Sequence, residues 1–217
     1  MKLFRTMEVM EDTYKVGDVI GFTLIDGEEV EALAVKQEQD GMIFVLVDCL
    51  RKEYAMNRTN TNRGGYEKCA LRGKLNGEIL DRFPAEIREK MVAFPNGDFL
   101  RLPTEREIFG CNSWGEAEDE SVEQWEPMKQ RKNRIAFQGK GTDCWEWYWL
   151  QNKADGYAAD FALVSNGGHA FFLRRFLRSR CASRFQNLRS RHFMWRVESV
   201  IFFEHQLSNA IHMKCWF

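Results

Sequence analysis

Tryptophan recurs at every second position in one short segment of the chain, and this pattern has the clearest potential for chemistry. The residues are Trp145, Trp147 and Trp149, and a β-strand would place all three indoles on one face. Such a face could stack a sugar, a base or a peptide aromatic, or it could be packed into a core. Gln151 and Asn152 follow directly. The candidate ligand-binding residues of this segment are Trp147, Trp149, Gln151 and Asn152.

One cluster of basic residues lies close to this segment, at residues 131–134 (RKNR). The first interpretation is that its cations pair with Glu105, with Glu107 or with the acidic run at residues 116–126. The second is that the cluster holds an anionic ligand. Arg134 therefore joins the candidate ligand-binding residues.

The first 170 residues contain no recognisable arrangement of catalytic or metal-binding residues. His169 is their single histidine, no serine lies in a Gly-x-Ser-x-Gly setting, and no glycine-rich segment has the spacing of a phosphate-binding loop. The 6 cysteines are widely spaced, without a CxxC pair, which is typical of free thiols in a reducing compartment. We therefore expect no catalytic residue, no bound metal and no cofactor.

Hydrophobic patterning predicts a soluble cytoplasmic protein without a transmembrane segment. The N-terminal residues lack the apolar stretch of a secretory signal, and no later apolar run is long enough to cross a bilayer. A net charge of −8 over residues 1–170, from 22 Lys+Arg against 30 Asp+Glu, makes this part of the chain a poor partner for nucleic acid.

Three apolar segments near the N-terminus predict a β-meander. Residues 19–25 and 30–35 flank Asp26-Gly27, a strong hairpin signal. Residues 42–47 are apolar throughout, as expected for a strand that is buried on both faces.

The middle of the chain predicts two helices, one strand and the start of a third helix. Residues 66–83 repeat apolar side chains with helical spacing, and residues 85–92 do so after a proline. Residues 99–102 predict a short strand. Thr104 and Glu107 have the spacing of a capping box.

A second hairpin is predicted late in the chain. Its strands are residues 161–164 and 170–172, and the intervening Asn166-Gly167 suits a type I′ turn. Strands, then helices, then strands again give an α+β order rather than alternating βαβ units.

The elements together resemble an uncharacterised domain family of gut Firmicutes and their prophages, whose fold is similar to C-type lectins and formylglycine-generating enzymes. The resemblance covers residues 14–172. Its motifs are YEKCALRGKLNGEILDRFPAEIREKMVAF, GDFLRLPTEREIFG, NRIAFQGK and WEWYWLQN, followed by the glycine-containing hairpin. It implies a C-type-lectin-like mixed sheet with two central helices, over residues 1–172.

The remainder, residues 173–217, is a basic tail rich in arginine and phenylalanine. From residue 171 onward the chain has no Gly, Asp, Thr, Tyr or Pro, and 9 Lys+Arg against 2 Asp+Glu. Family members end on a segment resembling GVRPAFKI. If the codons of residues 180–187 are read one base later, the genetic code permits those eight residues. We therefore expect an out-of-frame or disordered tail and the loss of the C-terminal strand, which the gene's nucleotide sequence would test. A genuine basic extension, able to bind nucleic acid or a membrane surface, is the alternative.

The resemblance implies a non-enzymatic module of bacterial or prophage origin that recognises a protein or carbohydrate ligand. The residues lack the calcium-ligand signatures of sugar-binding C-type lectins. An oxidoreductase similar to the formylglycine-generating enzymes is the first alternative, and it would need Cys111 and Cys144 as a redox or copper-binding pair. An inactive, truncated open reading frame is the second.

Overall fold

The computed structural model describes residues 14–39, 41–173, 202–203 and 215–216, which form a mixed α+β fold. The β-meander is confirmed as β1 (Val19–Thr23), β2 (Glu29–Gln37) and β3 (Met42–Leu46), which pair antiparallel in that order. All five residues of β3 are buried, as its apolar sequence predicts.

The predicted first helix is instead a chain of short helical segments. A 3₁₀ turn (Tyr66–Lys68) leads to α1 (Ala70–Lys74), a π-helical segment (Leu75–Ile79) and a second 3₁₀ turn (Leu80–Arg82). Its apolar face is as expected, because Leu71, Leu75 and Ile79 are completely buried.

The π-helical segment coincides with a side chain that bonds outside its own helix. The Asn76 amide nitrogen donates to the carbonyls of Arg72 and Leu100 at 3.1 and 2.9 Å. Its amide oxygen accepts from the N–H groups of Phe99 and Leu100 at 2.7 and 3.0 Å. The strand predicted at residues 99–102 is therefore wrong: the segment bonds to a side chain and not to a neighbouring strand.

Two further helices follow. Pro84 precedes α2 (Ala85–Arg88), which ends four residues earlier than predicted. The predicted capping box begins α3 (Glu105–Phe109): the Thr104 hydroxyl accepts from the Glu107 N–H, and the Glu107 carboxylate accepts from the Thr104 N–H. The later 3₁₀ turns are Glu126–Lys129 and Arg131–Arg134.

The late strands form two small antiparallel sheets. β4 (Ala136–Phe137) pairs with β5 (Trp145–Glu146). A three-stranded sheet contains β6 (Tyr148–Lys153), β7 (Phe161–Val164) and β8 (Ala170–Leu173). Side chains of the meander, the helical segments and this last sheet belong to one hydrophobic core.

The hairpin between β7 and β8 is confirmed, but its turn differs from the predicted type I′. Gly168, rather than Gly167, has a left-handed backbone, with φ 73°, as in a three-residue loop that ends in a bulge. A Cβ on Gly168 would lie 3.0 Å from the Arg131 carbonyl oxygen. Close packing against the 3₁₀ turn at Arg131–Arg134 therefore also favours glycine here.

Two short strands from the tail lie beside the meander. β10 (Cys215–Trp216) pairs parallel with β3 through Phe44, and β9 (Phe202–Phe203) pairs antiparallel with β10. These four residues do not test the expected loss of the C-terminal strand, which concerns residues 180–187. The rest of the tail, including residues 180–187, lies outside the described residues, so the out-of-frame hypothesis stays a prediction. Within the described part of the chain, none of the helices is long and apolar enough to span a membrane.

Candidate functional site

A buried carboxylate at the start of α3 organises the surface that follows. Glu105 is completely buried, and its carboxylate accepts from the backbone N–H groups of Trp114 and Gly115 at 3.0 and 2.8 Å. Hydrogen bonds to a charged acceptor are stronger than those between neutral groups. The backbone at Trp114 is thus held from inside the protein.

Asn152 of β6 completes this buried network. Its side-chain oxygen accepts from the Glu105 N–H at 2.7 Å, and its side-chain nitrogen donates to Glu118 at 2.7 Å. Gly115 lies so close that a Cβ there would be 2.4 Å from the Asn152 Cβ. These contacts join α3, the loop after it and β6 into one unit.

Four aromatic side chains lie on the outside of this unit, and we call them the aromatic strip: Trp114, Tyr157, Phe171 and Phe172. Trp114 and Phe171 are 41% and 46% exposed. The Trp114 ring lies 4.8 Å from the Phe172 ring and 6.4 Å from the Phe171 ring, and its Nε1 donates to the Ala170 carbonyl at 3.2 Å. The Tyr157 ring lies 4.5 Å from that of Phe172. A row of aromatic rings therefore covers β8.

The loop that carries Tyr157 is also fixed by polar contacts. The Asp155 N–H donates to the Trp114 carbonyl at 2.7 Å. Asn62, which is itself buried, donates to the carbonyls of Tyr157 and Asp160 at 2.5 and 2.9 Å. The strip is thus preorganised, which lowers the entropy that binding would cost.

A group of basic residues, the cationic corner, lies where the β7–β8 hairpin turns: Arg131, Lys132 and Arg134. Arg134 donates to the carbonyls of Gly168 and Met128 at 3.1 and 2.8 Å. Its guanidinium lies 5.1 Å from the centre of the Phe109 ring. Arg131 donates to the Gly167 carbonyl at 3.3 Å.

The predicted ion pairs of this cluster are not formed in the described residues. Glu105 bonds to the backbone of Trp114 and Gly115, and Glu107 pairs with Arg101. Burial lowers the pKa of Arg134, and the neighbouring Arg131 cation lowers it further, against an opposing effect of Tyr148. A cationic corner without a carboxylate partner within the described part of the chain favours the second interpretation, an anionic ligand.

Of the other predicted site residues, Trp147, Trp149 and Asn152 are buried and Gln151 is half-buried. Trp147 and Trp149 are 7% and 2% exposed, and their rings meet edge-on at 4.8 Å. Gln151 donates to the Leu102 carbonyl, and Asn152 is 9% exposed. The strand is interrupted at Trp147, and Trp145 alone of the three indoles is exposed. A ligand would reach Trp147 or Trp149 only if the surrounding side chains moved.

Sequence reasoning missed the exposed aromatic residues Trp114 and Tyr157. A weak signal was available: each is a large aromatic residue among small and polar neighbours, in CNSWGE and KADGYA. Such loops bury little, so an aromatic residue within one is a candidate for recognition.

The cysteines and acidic residues supply no metal centre in the described part of the chain, where no group of three or more His, Cys, Asp or Glu side chains is placed to hold an ion. Cys111 is exposed, 3.8 Å from the Ser113 hydroxyl. Cys49, Cys69 and Cys111 are free thiols, as the sequence predicts, whereas Cys144 is disulfide-bonded.

We expect iodoacetamide at about pH 8 to modify Cys111 of the native protein far faster than Cys69, since the thiolate is the reactive form. Cys69 is buried, and burial raises the pKa of its thiol to about 11. Peptide mass mapping over time gives both rates, and Cys111→Ser identifies the fast site. Equal rates at the two cysteines in folded protein would contradict this assignment.

Comparison with protein-family models, with curated proteins and with solved structures found no match to this chain.

Proposed function

We propose that this chain is a non-enzymatic ligand-binding module that recognises a protein or a glycan through the aromatic strip. The supporting observation is that Trp114, Tyr157 and Phe171 are at least two-fifths exposed. The backbone of Trp114 and of Tyr157 is held by the buried side chains of Glu105 and Asn62. Aromatic side chains provide large, rigid contact areas and dominate binding energies at many recognition surfaces.

The C-type-lectin-like form of the α+β fold belongs to the same proposal. It rests on the resemblance of residues 14–172 and on the order of strands, helices and strands, which the described elements follow. Fold alone does not give function, so the strip supports the binding role.

Two alternatives remain hypotheses. The formylglycine-generating alternative needs Cys111 and Cys144 as a cooperating pair, and Cys144 is disulfide-bonded. An inactive open reading frame would explain the composition of the tail, but it assigns no role to an exposed aromatic strip.

Arrays of oligosaccharides and of peptides, probed with the full chain, test the proposal. We expect Phe171→Ala and Tyr157→Ala each to weaken binding of an array ligand about tenfold, as for residues at the centre of an interface. Trp145→Ala is the matched control, because Trp145 is 50% exposed but packs against Phe137, away from the strip.

Melting temperatures of the three variants separate binding effects from folding. The proposal fails if no ligand binds on either array, or if every bound ligand is indifferent to both strip variants. It also fails if Trp145→Ala weakens binding as much as they do.

A further inference from the structure

The aromatic strip and the cationic corner form one surface along β8. His169 is exposed, and its Nε2 lies 3.3 Å from Nη1 of Arg131. Because a guanidinium can only donate, Nε2 of His169 accepts this hydrogen bond. Phe171 follows two residues later, a separation of about 7 Å in a strand. A ligand stacked on Phe171 would therefore be within reach of the Arg131 guanidinium.

The cationic corner retains donors for such a ligand. Arg131 and Lys132 are exposed. Nε and Nη2 of Arg131 make no hydrogen bond with the described residues, whereas Nη1 is directed at Gly167 and His169. A planar guanidinium with two adjacent donors matches a carboxylate or a sulfate group.

We infer that the ligand is an acidic saccharide, whose ring stacks on Phe171 and Trp114 while its carboxylate or sulfate group pairs with Arg131. This inference rests on the proposed function, and it adds the charge and the chemical class of the ligand.

The charge distribution disfavours a nucleic acid on the same surface. The loop that follows Trp114 exposes several carboxylates, those of Glu116, Asp119, Glu120, Glu123 and Glu126. A polyanion with a charge at every phosphate would pass these carboxylates and be repelled. A saccharide with one acidic group near the corner avoids them.

A matched pair of monosaccharides tests the inference: glucuronic acid and its methyl ester, which have the same sugar ring but differ in charge. Biolayer interferometry with the immobilised full chain compares both, together with sialyllactose against lactose and with an oligothymidylate. We expect the acidic member of at least one sugar pair to bind at least tenfold more tightly than its neutral partner. This preference should weaken as salt is added.

Variants then locate the contact. Arg131→Ala should weaken binding of the acidic sugar about tenfold and Arg131→Lys less, since lysine keeps the charge but not the planar fork. Phe171→Ala should weaken it by a similar factor. Arg88→Ala, which removes an exposed arginine of α2 that pairs with Asp81, should leave binding unchanged.

The outcomes distinguish the inference about an acidic ligand from the proposed binding function of the aromatic strip. If acidic and neutral sugars bind equally and Phe171→Ala weakens both, the strip remains a binding surface and the inference about charge is overturned. If none of the acidic sugars binds, or if oligothymidylate binds more tightly than they do, the inference is overturned, and the array experiment decides the proposed function separately. Equal losses in Arg131→Ala and Arg88→Ala would also overturn it.

Discussion

Replacing Glu105 with glutamine is expected to lower the free energy of unfolding by about 3 kcal/mol. The carboxylate accepts from the N–H groups of Trp114 and Gly115, and its side chain is completely buried. Glutamine has the same shape, but it offers one oxygen and one NH₂ group. One backbone donor would then face another donor without water to replace the lost bond.

Urea unfolding followed by circular dichroism measures this loss. Glu116→Gln is the matched control: Glu116 is exposed and pairs with Lys153 at 2.6 Å, and exposed pairs contribute at most about 1 kcal/mol. If the two variants lost nearly the same free energy of unfolding, the Glu105 carboxylate would not be what holds the loop.

The Glu105→Gln substitution should also change the position of Trp114 in the aromatic strip. Trp114 is positioned by the backbone bonds to Glu105 and by its own Nε1 bond to Ala170. Weakening of the first set leaves Trp114 held mainly by Ala170 and by the Asp155 N–H, which donates to the Trp114 carbonyl. We therefore expect Glu105→Gln, at temperatures where it is folded, to shift the indole N–H resonance of Trp114 and to leave that of Trp145 in place.

Local sequence patterns were sufficient for the elements that depend on neighbouring residues. The capping box at Thr104 and Glu107 depends on a spacing of three residues, and the meander hairpin on Asp26-Gly27. The run at 42–46 is apolar enough to be buried in any packing. Each of these features is present in the structure.

The aromatic site could not be predicted in the same way, because alternation says which side chains share a face but not which face is solvated. Trp147 and Trp149 lie in the core, where their rings contact each other and the Trp149 ring also contacts Phe161 of β7. Trp114 is exposed because the buried Glu105 and Asn152 draw the adjacent backbone inward. The exposure of Trp114 therefore depends on tertiary contacts, such as the hydrogen bond between Glu105 and Asn152, which are 47 positions apart.

Asn152 illustrates the same limit for polar residues. An amide after an aromatic strand is equally compatible with a ligand contact and with a buried hydrogen-bond partner. The structure places it at 9% exposure, between Glu105 and Glu118. The basic cluster at 131–134 shows the converse: of its expected partners, Glu105 and Glu107 are already bonded elsewhere. The acidic run at 116–126 forms no ion pair with the cluster in the described part of the chain.

Removing one partner of the buried Arg101–Glu107 pair should have the largest effect on stability. Arg101 and Glu107 are 6% and 7% exposed, and both carboxylate oxygens of Glu107 face guanidinium nitrogens, one pair of atoms at 2.9 Å. We expect Arg101→Met to lower the free energy of unfolding by about 3–5 kcal/mol, because it leaves a buried charge without its partner.

The double variant Arg101→Met/Glu107→Gln is the control. This double variant removes both charges, and the amide oxygen introduced at position 107 can still accept from the Thr104 N–H. It should therefore be more stable than Arg101→Met alone. A double variant destabilised by the sum of the single losses would contradict coupling between the two side chains.

The pH dependence of Arg101→Met gives an independent measure of the same charge. Burial already raises the pKa of Glu107, and Arg101 opposes that rise. Without Arg101 the folded-state pKa should rise further above the unfolded value. The folded protein then binds the proton more tightly, so the stability of the variant is greatest below the unfolded pKa of about 4.3. It falls as the pH rises from that value through the higher folded pKa. Urea unfolding at about pH 4 and pH 7 should therefore show a larger deficit, relative to the unmodified chain, at neutral pH. A deficit that is the same at both pH values would mean that lost packing, and not the buried charge, causes the destabilisation.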